Sequence, residues 1–507
     1  MLVRRDFLKG VGAAPAVALG TRASPSVLTI LCDQLNASVT STYGGPVPTP
    51  NLTRLARSGV LFTQATCNTP FCSPTRASII TGQYPHTHGV VTNINARNHG
   101  LTGESPTMDR LLKAEGYAVH QYGKWHVSAR PMPYYPDTYD SLEYAAEMRE
   151  VFEKVRSRPR DSWMEFYRWA LPVTVAPEYR RAVKPLYQAK ANSPDWIDFV
   201  AKTGRLDLPL EQNFEVRMAD RTVDRLRRVG AKPFSITCSF ITPHDPNVVP
   251  SPYYEQFSPQ QIRLPANRGH RERRFEHDWS RTMAAVPGET GVREFLRVYY
   301  GCVRLLDDQV GRVLDALQAT GRASNTIVVF TSDHGDMAGG HGMLWKSTTA
   351  FYEEVVRVPL IISCPGRITP GRTDMAADHA DLMPTLLELC GKPAPRSVEG
   401  HTLAPYLLGQ RDPAKALPYR FSERVPPKYT APLKVAPGTR GSYMARGNGW
   451  KYIWYPDGGE YLYDLKSDPG EMRNRAGDPA CREKKAELAR EMDRWLAGSP
   501  CVRGAGA

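Results

Sequence analysis

Short apolar runs rich in β-branched residues recur along the chain, and patterns with helical spacing separate them. Each apolar run predicts a buried strand, at residues 26–32, 233–240, 325–332 and 359–363. The helical patterns end at or near a glycine and predict helices at residues 50–59, 107–116, 292–321 and 381–391. Strands that alternate with helices in this way predict an α/β fold, with a mostly parallel sheet sandwiched by helices.

Two regions depart from this alternation. Residues from about 130 to 230 are rich in aromatic, arginine and proline residues, which indicates an insertion that shapes substrate access; a packing cap without substrate contact is the alternative. After about residue 410 a linker leads to short apolar segments and a helical pattern, which predict a smaller antiparallel sheet with a closing helix. We therefore expect a large domain at 24–410 and a C-terminal subdomain at 411–507.

Residues 1–23 have the pattern of an export signal. Arg4 and Arg5 precede Phe7, a mildly apolar run rich in glycine and alanine, and small residues around Ala23. This order resembles a bacterial twin-arginine (Tat) signal, so we expect the Tat export machinery as a partner and a periplasmic or secreted protein. The apolar run is too short to span a membrane. A flexible basic N-terminus is the alternative.

The chain of 507 residues has a net charge of +13, which favours acidic partners such as anionic saccharides, nucleic acid or membrane surfaces. A solubilising surface excess is the alternative. No nucleic-acid-binding motif stands out and no run of lysine and arginine reaches five residues, so we expect no nucleic-acid partner. The nine cysteines show neither CxxC pairs nor zinc-ligand spacing, and Cys481 with Cys501 is a candidate disulfide of an exported protein.

Polar side chains follow two of the predicted strands. Asp33 and Gln34 come directly after the first strand, and Asp333 and His334 follow the strand at 325–332. Parallel sheets place their chemistry at the carboxyl ends of the strands, so we expect these four side chains to lie close together. The oxygen-rich set favours Ca²⁺, Mg²⁺ or Mn²⁺, and the histidine favours Mn²⁺ slightly. Either pair alone is also typical of a helix cap.

The stretch TPFCSPTRASIITGQYP, residues 69–85, places a cysteine at a predicted helix start. Pro74 suits the first turn of a helix that Gly82 closes. Cys72 then lies where free backbone N–H groups and the helix dipole favour negative charge, and Arg76 is within reach of the same face. The segment is therefore suited to an oxyanion and a bound anionic group.

The pattern Cys72-x-Pro74-x-Arg76 resembles the signature of the type I sulfatase family, of the alkaline-phosphatase-like superfamily. LCDQLN, YGKWH, ITPHDP and SDHGDMAGGHGMLWK resemble further family motifs in the same order, and the resemblance runs from about residue 25 to 475. It implies that a formylglycine-generating enzyme oxidises Cys72 to formylglycine. The hydrated aldehyde attacks sulfur, the alcohol leaves, and loss of a proton from the second hydroxyl expels sulfate.

The resemblance also implies roles for the matching residues. The ligands of one divalent cation, calcium with manganese or magnesium as alternatives, are Asp33, Gln34, Cys72 as formylglycine, Asp333 and His334. Side chains that stabilise the anion are Arg76, Lys124 and Lys346; a surface position is the alternative for Lys346. His126 is the candidate base on the formylglycine hydrate, and His244 with Lys346 is the candidate acid for the departing alcohol.

Gln34 departs from most of the family, which has a second aspartate there. The Asp-Gln and Asp-His pairs look more like the choline-sulfatase and phosphonate-monoesterase branch. The expected reaction is hydrolysis of a sulfate ester, of a sulfated carbohydrate or an aryl or alkyl sulfate. A phosphonate monoester or phosphodiester hydrolase is the first alternative, and a catalytically inactive glycan-binding protein is the second.

Three other clusters have more ordinary interpretations. His86 and His88 are expected at the rim of the site or in structural contacts. The acid and histidine cluster in DHADLMPT, residues 378–385, is expected to cap and pack a helix. Asn93 and Asn95 are candidates for the pocket mouth.

Overall fold

The computed structural model describes residues 24–94, 99–129, 131–136, 138–139, 143–144, 147, 172–184, 201–275, 288–425 and 441–498. The predicted export signal at 1–23, Asn95, Cys501 and much of the predicted insertion lie outside the described residues. The Cys481–Cys501 pair therefore stays a prediction.

Strands and helices alternate through most of the described chain. The strands are β1 (Ser26–Asp33), β2 (Gly59–Phe62), β3 (Ala65–Thr66), β4 (Ala118–Gly123), β5 (Thr138–Tyr139), β6 (Val173–Thr174), β7 (Gly204–Leu206), β8 (Phe234–Pro243), β9 (Val248–Pro250), β10 (Thr326–Ser332), β11 (Leu360–Ser363), β12 (Gly371–Thr373), β13 (Ala377–Asp378), β14 (Tyr419–Arg424), β15 (Ser442–Gly447), β16 (Trp450–Trp454) and β17 (Glu460–Asp464). The helices are α1 (Pro50–Arg57), α2 (Cys72–Thr81), α3 (Pro85–His88), α4 (Met108–Ala114), α5 (Pro177–Val183), α6 (Phe214–Arg227), α7 (Gly288–Ala319), α8 (Glu353–Val356), α9 (Leu382–Leu389), α10 (Ala404–Leu407) and α11 (Arg482–Gly498).

The central sheet has eight strands in the order β12-β2-β11-β10-β1-β8-β4-β5. Five consecutive strands, from β10 to β5, run parallel, and β11 pairs antiparallel with both β10 and β2. The predicted mostly parallel α/β architecture is confirmed. No described helix has both the length and the apolar composition that a membrane-spanning helix requires.

The alternation of side chains along β1 explains the two helical layers. All eight residues of β1 are buried. Leu28 and Ile30 pack with residues of α6 and α7 on one face of the sheet. Val27 and Leu31 pack on the other face with residues of α2, α4 and α9. A strand with apolar residues on both faces needs cover on both, which is why its sequence is a continuous apolar run.

Part of the predicted insertion, residues 130–230, belongs to the hydrophobic core. Helix α6 lies inside this range and packs on β4, β8 and α7. The strands β6 and β7 form a small sheet with β9, which follows His244. This part of the chain therefore supports the edge of the sheet where the predicted site lies. The domain boundaries stay predictions.

The C-terminal strands β14 to β17 form an antiparallel sheet in chain order, as predicted. Helix α11 closes it with Leu488 and Met492, which are buried against Tyr452 and Leu462. The ring of Trp495 stacks on Phe421 with 4.7 Å between ring centres. This small sheet thus has a core of its own.

A buried group of charges joins the C-terminal sheet to helix α8. The Lys451 ammonium lies 2.8 Å from a carboxylate oxygen of Glu353 and 2.8 Å from one of Glu471, and it donates to the Phe351 carbonyl at 2.8 Å. Arg446 donates two hydrogen bonds to Glu353, at 2.8 and 2.7 Å. Burial opposes ionisation of Glu353, but Arg446 and Lys451 outweigh it and lower the pKa of that carboxyl.

We expect Lys451→Ala to lower the free energy of unfolding by about 3–5 kcal/mol, because it leaves the buried Glu471 carboxylate without its ammonium partner and removes one of the two cations beside Glu353. Chemical denaturation measures the loss. Lys415→Ala removes an exposed lysine and serves as the matched control. A loss below about 1 kcal/mol, the usual range for an exposed pair, would contradict a buried joint.

Candidate active site

The carboxyl ends of four neighbouring strands bring polar side chains to one edge of the central sheet. Asp33 ends β1, and Asp333 follows β10 directly. Lys124 follows β4, and His244 follows β8. These four residues are separated by long stretches of chain, and all of them are buried. The parallel pairing of the strands therefore assembles the site.

Cys72 is the first residue of α2, as the sequence pattern predicts, and Gly82 ends the helix in the left-handed conformation (φ 66°). The Cys72 sulfur lies 3.2 Å from Nε2 of His334 and 3.9 Å from a carboxylate oxygen of Asp33. Burial raises the energy of a thiolate, but the charges of Lys124, Lys346 and His334 outweigh it and lower the pKa of Cys72 well below its usual value. The neighbouring Lys124, Lys346 and His334 thus favour a negative group at this position.

Asp33, Cys72, Asp333 and His334 are fully buried, and their ligand atoms lie within 4.8 Å of one another. Nδ1 of His334 donates to the Gly335 carbonyl at 2.9 Å, which leaves Nε2 directed at the cluster. Burial and the neighbouring Asp33 raise the pKa of Asp333. Two buried carboxylates and an imidazole are a donor set that fits a divalent cation.

Arg76 connects the two carboxylates. Its Nε donates to Asp333 at 2.7 Å and its Nη2 to Asp33 at 3.1 Å. Its Nη1 donates to the Lys124 carbonyl and to the Ser239 hydroxyl, both at 2.9 Å. The guanidinium, four residues after Cys72, therefore fixes the start of α2 against the edge of the sheet.

Lysine side chains flank the cluster on two sides. Nζ of Lys124 contacts a carboxylate oxygen of Asp33. Nζ of Lys346 lies 2.8 Å from Nε2 of His244 and donates to the Gln34 amide oxygen at 3.0 Å. Nδ1 of His244 donates to the Asp245 carbonyl at 2.6 Å, so its Nε2 is free to accept from Lys346. In this pair Lys346 is thus the donor and His244 the acceptor.

His126 contacts Cys72 from a strained backbone position, with φ at 59°. Burial and the Lys124 charge lower the pKa of His126 to about 4. The imidazole is therefore neutral near pH 7 and able to accept a proton. Its Nδ1 has no hydrogen-bond partner among the residues that the structure describes.

The remaining sequence candidates lie in structural contacts. Nδ1 of His86 lies 2.8 Å from Glu423, and its Nε2 lies 3.4 Å from Glu399. His88 bonds the Ser78 hydroxyl at 3.1 Å. Asn93 accepts from the Ser73 backbone N–H at 3.1 Å, close to Cys72.

The prediction of a helix cap in DHADLMPT is confirmed. The Asp378 side chain accepts from the backbone N–H of Ala380, and the Asp381 side chain accepts from that of Asp378, both at 3.0 Å. Arg420 pairs with Asp381 at 2.7 Å.

Sequence reasoning missed three residues at the site. Ser239 bonds Arg76, and Asp336 and Asp245 both face the Gln34 amide nitrogen, at 2.7 and 3.4 Å. Asp245 and Asp336 stand inside the quoted motifs ITPHDP and SDHGD, which was the available signal. Ser239 has no such signal, because it lies within an apolar strand.

The family model described as Sulfatase matches residues 25–392. The chain belongs to the sulfatase family. A second model, N-sulphoglucosamine sulphohydrolase, C-terminal, matches residues 339–497. The multiple sulfatase relatives identify the protein as a sulfuric ester hydrolase.

Relatives of this sulfatase span nearly its whole length. An N-acetylglucosamine-6-O-sulfatase of Bacteroides thetaiotaomicron is 26% identical, over 92% of this chain and 86% of its own. A choline-sulfatase of Rhizobium meliloti is 27% identical, over 93% of this chain and 86% of its own. A solved phosphonate monoester hydrolase from Silicibacter pomeroyi has a TM-score of 0.73 and 25% identity, over 93% of this chain and 95% of its own. The predicted family resemblance is confirmed.

We expect the stabilising effect of His86 to depend on pH. Burial disfavours its charge, but Glu423 and Glu399 outweigh burial and raise its pKa from 6.5 to about 10. A raised pKa in the folded state stabilises fully below the unfolded value, near 6.5, and the effect disappears as pH rises to about 10. The excess stability of the wild type over His86→Gln should therefore shrink over this interval in urea titrations.

The exposed His99 provides the control, since His99→Gln should leave stability unchanged at each pH. A wild-type excess that stays constant or grows between pH 6.5 and 10 would show that the ion pairs of His86 do not contribute.

Proposed function

We propose that this sulfatase hydrolyses sulfate esters with a formylglycine formed from Cys72 and with one divalent cation, calcium in the first instance. The observation that carries the proposal is the buried cluster of Cys72, Asp33, Asp333 and His334, whose ligand atoms lie within 4.8 Å. Asp33, Gln34, Asp333, His334 and the modified Cys72 would hold the cation. The hydrated formylglycine supplies the attacking hydroxyl and a second hydroxyl whose deprotonation expels sulfate. When bound, the cation would polarise the ester oxygens and offset their charge.

The chain's own residues stabilise the anion and move protons. Lys124, Lys346 and Arg76 offset the negative charge of the sulfate group in a buried site, where fixed positive charges are most effective. His126, neutral near pH 7 and next to Cys72, is placed to take a proton from the second hydroxyl. The pair of Lys346 and His244 donates a proton to the oxygen of the departing alcohol as the S–O bond breaks.

A sulfated carbohydrate or an aryl or alkyl sulfate is the proposed substrate. The N-acetylglucosamine-6-O-sulfatase relative and the net charge of +13 support an anionic saccharide. A second candidate is a phosphonate monoester or a phosphodiester. The Gln34 and His334 pair and the likeness to a solved phosphonate monoester hydrolase favour it. Export through the Tat machinery to the periplasm, after modification by a formylglycine-generating enzyme, completes the proposal.

Two measurements test this function. Mass spectrometry of the Cys72 peptide should show a mass about 18 Da below that of the thiol, as loss of H₂S and gain of oxygen require. An unmodified thiol together with glycan binding would favour an inactive binding protein. For the modified enzyme, kcat/KM should be higher for a sulfate ester than for a phosphonate monoester or a phosphodiester with the same leaving group. The reverse order would assign the second candidate function.

We expect Cys72→Ser to fold as the wild type does and to lose turnover. A serine hydroxyl can attack sulfur, but it lacks the second hydroxyl that expels sulfate. Rapid mixing should therefore show one burst of alcohol per enzyme, with sulfate retained on the introduced serine. Sustained turnover at the wild-type rate would sink the formylglycine mechanism.

We expect His244→Ala to slow the cleavage of an alkyl or sugar sulfate by about 10²–10⁴-fold, which is the usual value of general acid catalysis. The cleavage rate of a nitrophenyl sulfate should fall much less, because its leaving group departs without a proton. Single-turnover kinetics on both substrates measure the difference. His126→Ala is the control and should slow both substrates through their shared second step. Equal losses for His244→Ala in alcohol release would remove it from the acid role.

A further inference from the structure

The backbone of Gln34 is fixed on both sides. Its φ is 65°, in the left-handed region that glycine favours, and the residue is fully buried. Its N–H donates to Asp333 at 3.1 Å, and its carbonyl accepts from the Tyr299 hydroxyl at 2.7 Å. The side chain therefore leaves the backbone in one direction only, toward Lys346.

The two ends of the Gln34 amide face opposite kinds of partner. Its nitrogen donates to Asp336 at 2.7 Å and approaches Asp245 at 3.4 Å, while its oxygen accepts from Lys346 at 3.0 Å. An ionised carboxylate only accepts hydrogen bonds, and an ammonium only donates them. Rotating the amide by half a turn would set oxygen against carboxylate and nitrogen against ammonium.

Asp336 is itself held in one orientation. One carboxylate oxygen accepts from the Ala338 backbone N–H at 2.7 Å, and the Asp336 carbonyl accepts from the Asn36 amide at 2.9 Å. The side chain is fully buried. Because a backbone N–H cannot become an acceptor, this contact fixes which oxygen of Asp336 remains for Gln34.

We propose that Asp336 is a positioning residue, which holds the Gln34 amide with its oxygen toward Lys346 and the cation and its nitrogen away from them. The inference rests on the proposed function, since it gives Gln34 the role of an oxygen ligand. It also explains why a glutamine suits this position. An amide carries both a donor and an acceptor, and by binding the donor Asp336 leaves the amide oxygen for Lys346 and the cation.

The isosteric change Asp336→Asn tests this directly. The asparagine must keep its oxygen toward the Ala338 N–H, so its amide N–H₂ faces the N–H₂ of Gln34. Relief requires rotation of the Gln34 amide, which presents its nitrogen to Lys346 and to the cation. We expect a loss of about 10- to 100-fold in the affinity of the purified protein for Ca²⁺ or Mn²⁺, the usual effect of changing a residue that orients a metal ligand.

Isothermal titration calorimetry of chelator-stripped protein measures this affinity without any turnover. The Gln34→Glu change provides the second arm. Alone it sets two carboxylates against each other and should weaken binding. Combined with Asp336→Asn it restores a donor facing an acceptor, and the glutamate still presents an oxygen to Lys346. The double variant should therefore bind the cation at least 10-fold more tightly than either single variant.

The outcomes separate this inference from the proposed function. Failure of the wild type to bind either cation would overturn the proposed function and this inference with it. Wild-type binding with an unchanged affinity in Asp336→Asn would overturn the inference alone. An equal loss of cation affinity from Asp336→Asn in the presence of Gln34 and of Gln34→Glu would also overturn it, because an equal loss would indicate a general effect of charge or folding. If Asp336→Asn fails to fold, recovery of folding and of cation binding in the double variant supports the inference, and failure there overturns it.

Discussion

Two buried carboxylates that lie close together are the constraint on which the site depends. Asp33 and Asp333 would repel each other at the carboxyl ends of two adjacent strands if nothing compensated their charge. Arg76 compensates both, and it lies on the same helix as Cys72. A single guanidinium therefore stabilises the charges of both carboxylates. The same contacts hold α2, and with it Cys72, against the sheet. Removing the guanidinium would leave the buried Asp333 without its arginine partner and would release the start of α2 from the sheet.

Physical features of the sequence explain which strands, helices and site residues could be predicted and which could not. The strands with continuous apolar sequences, such as β1 and β10, were predicted, and so was the position of Asp33 and Asp333 at their ends. The strand β4 was not, because His120 and Gln121 interrupt its apolar pattern although both are buried. Helix α6 was assigned to the insertion because it lies in a region rich in aromatic, arginine and proline residues, although its buried face packs on the central sheet. The pairing of His244 with Lys346 joins residues 102 positions apart, so only the family resemblance suggested it.

In the proposed function, the charges at the site suit a class of anion rather than one ester. Arg76, Lys124 and Lys346 lie close to Asp33 and Asp333, and Asp245 and Asp336 lie beside Gln34 and Lys346. A bound divalent cation would add the positive charge that offsets these carboxylates. Sulfate monoesters, phosphonate monoesters and phosphodiesters all present one negative charge near neutral pH, so three cationic side chains and one bound cation would suit each of them. Selection among them therefore depends on residues that contact the alcohol, not on those that hold the anion. The relatives named as an N-acetylglucosamine-6-O-sulfatase, a choline-sulfatase and a phosphonate monoester hydrolase have substrates with different alcohol parts.

The burial of Cys72 also sets an order of events during synthesis. The sulfur is enclosed by β1 and by His334, which lies 262 residues later in the chain. Until the ribosome has passed His334, the strand that closes the site does not exist. At about 5–20 residues per second, this leaves the Cys72 segment open for roughly 10–50 s. In the proposed function, an enzyme that modifies Cys72 would therefore act before the fold closes, since the finished fold leaves the sulfur no exposed surface.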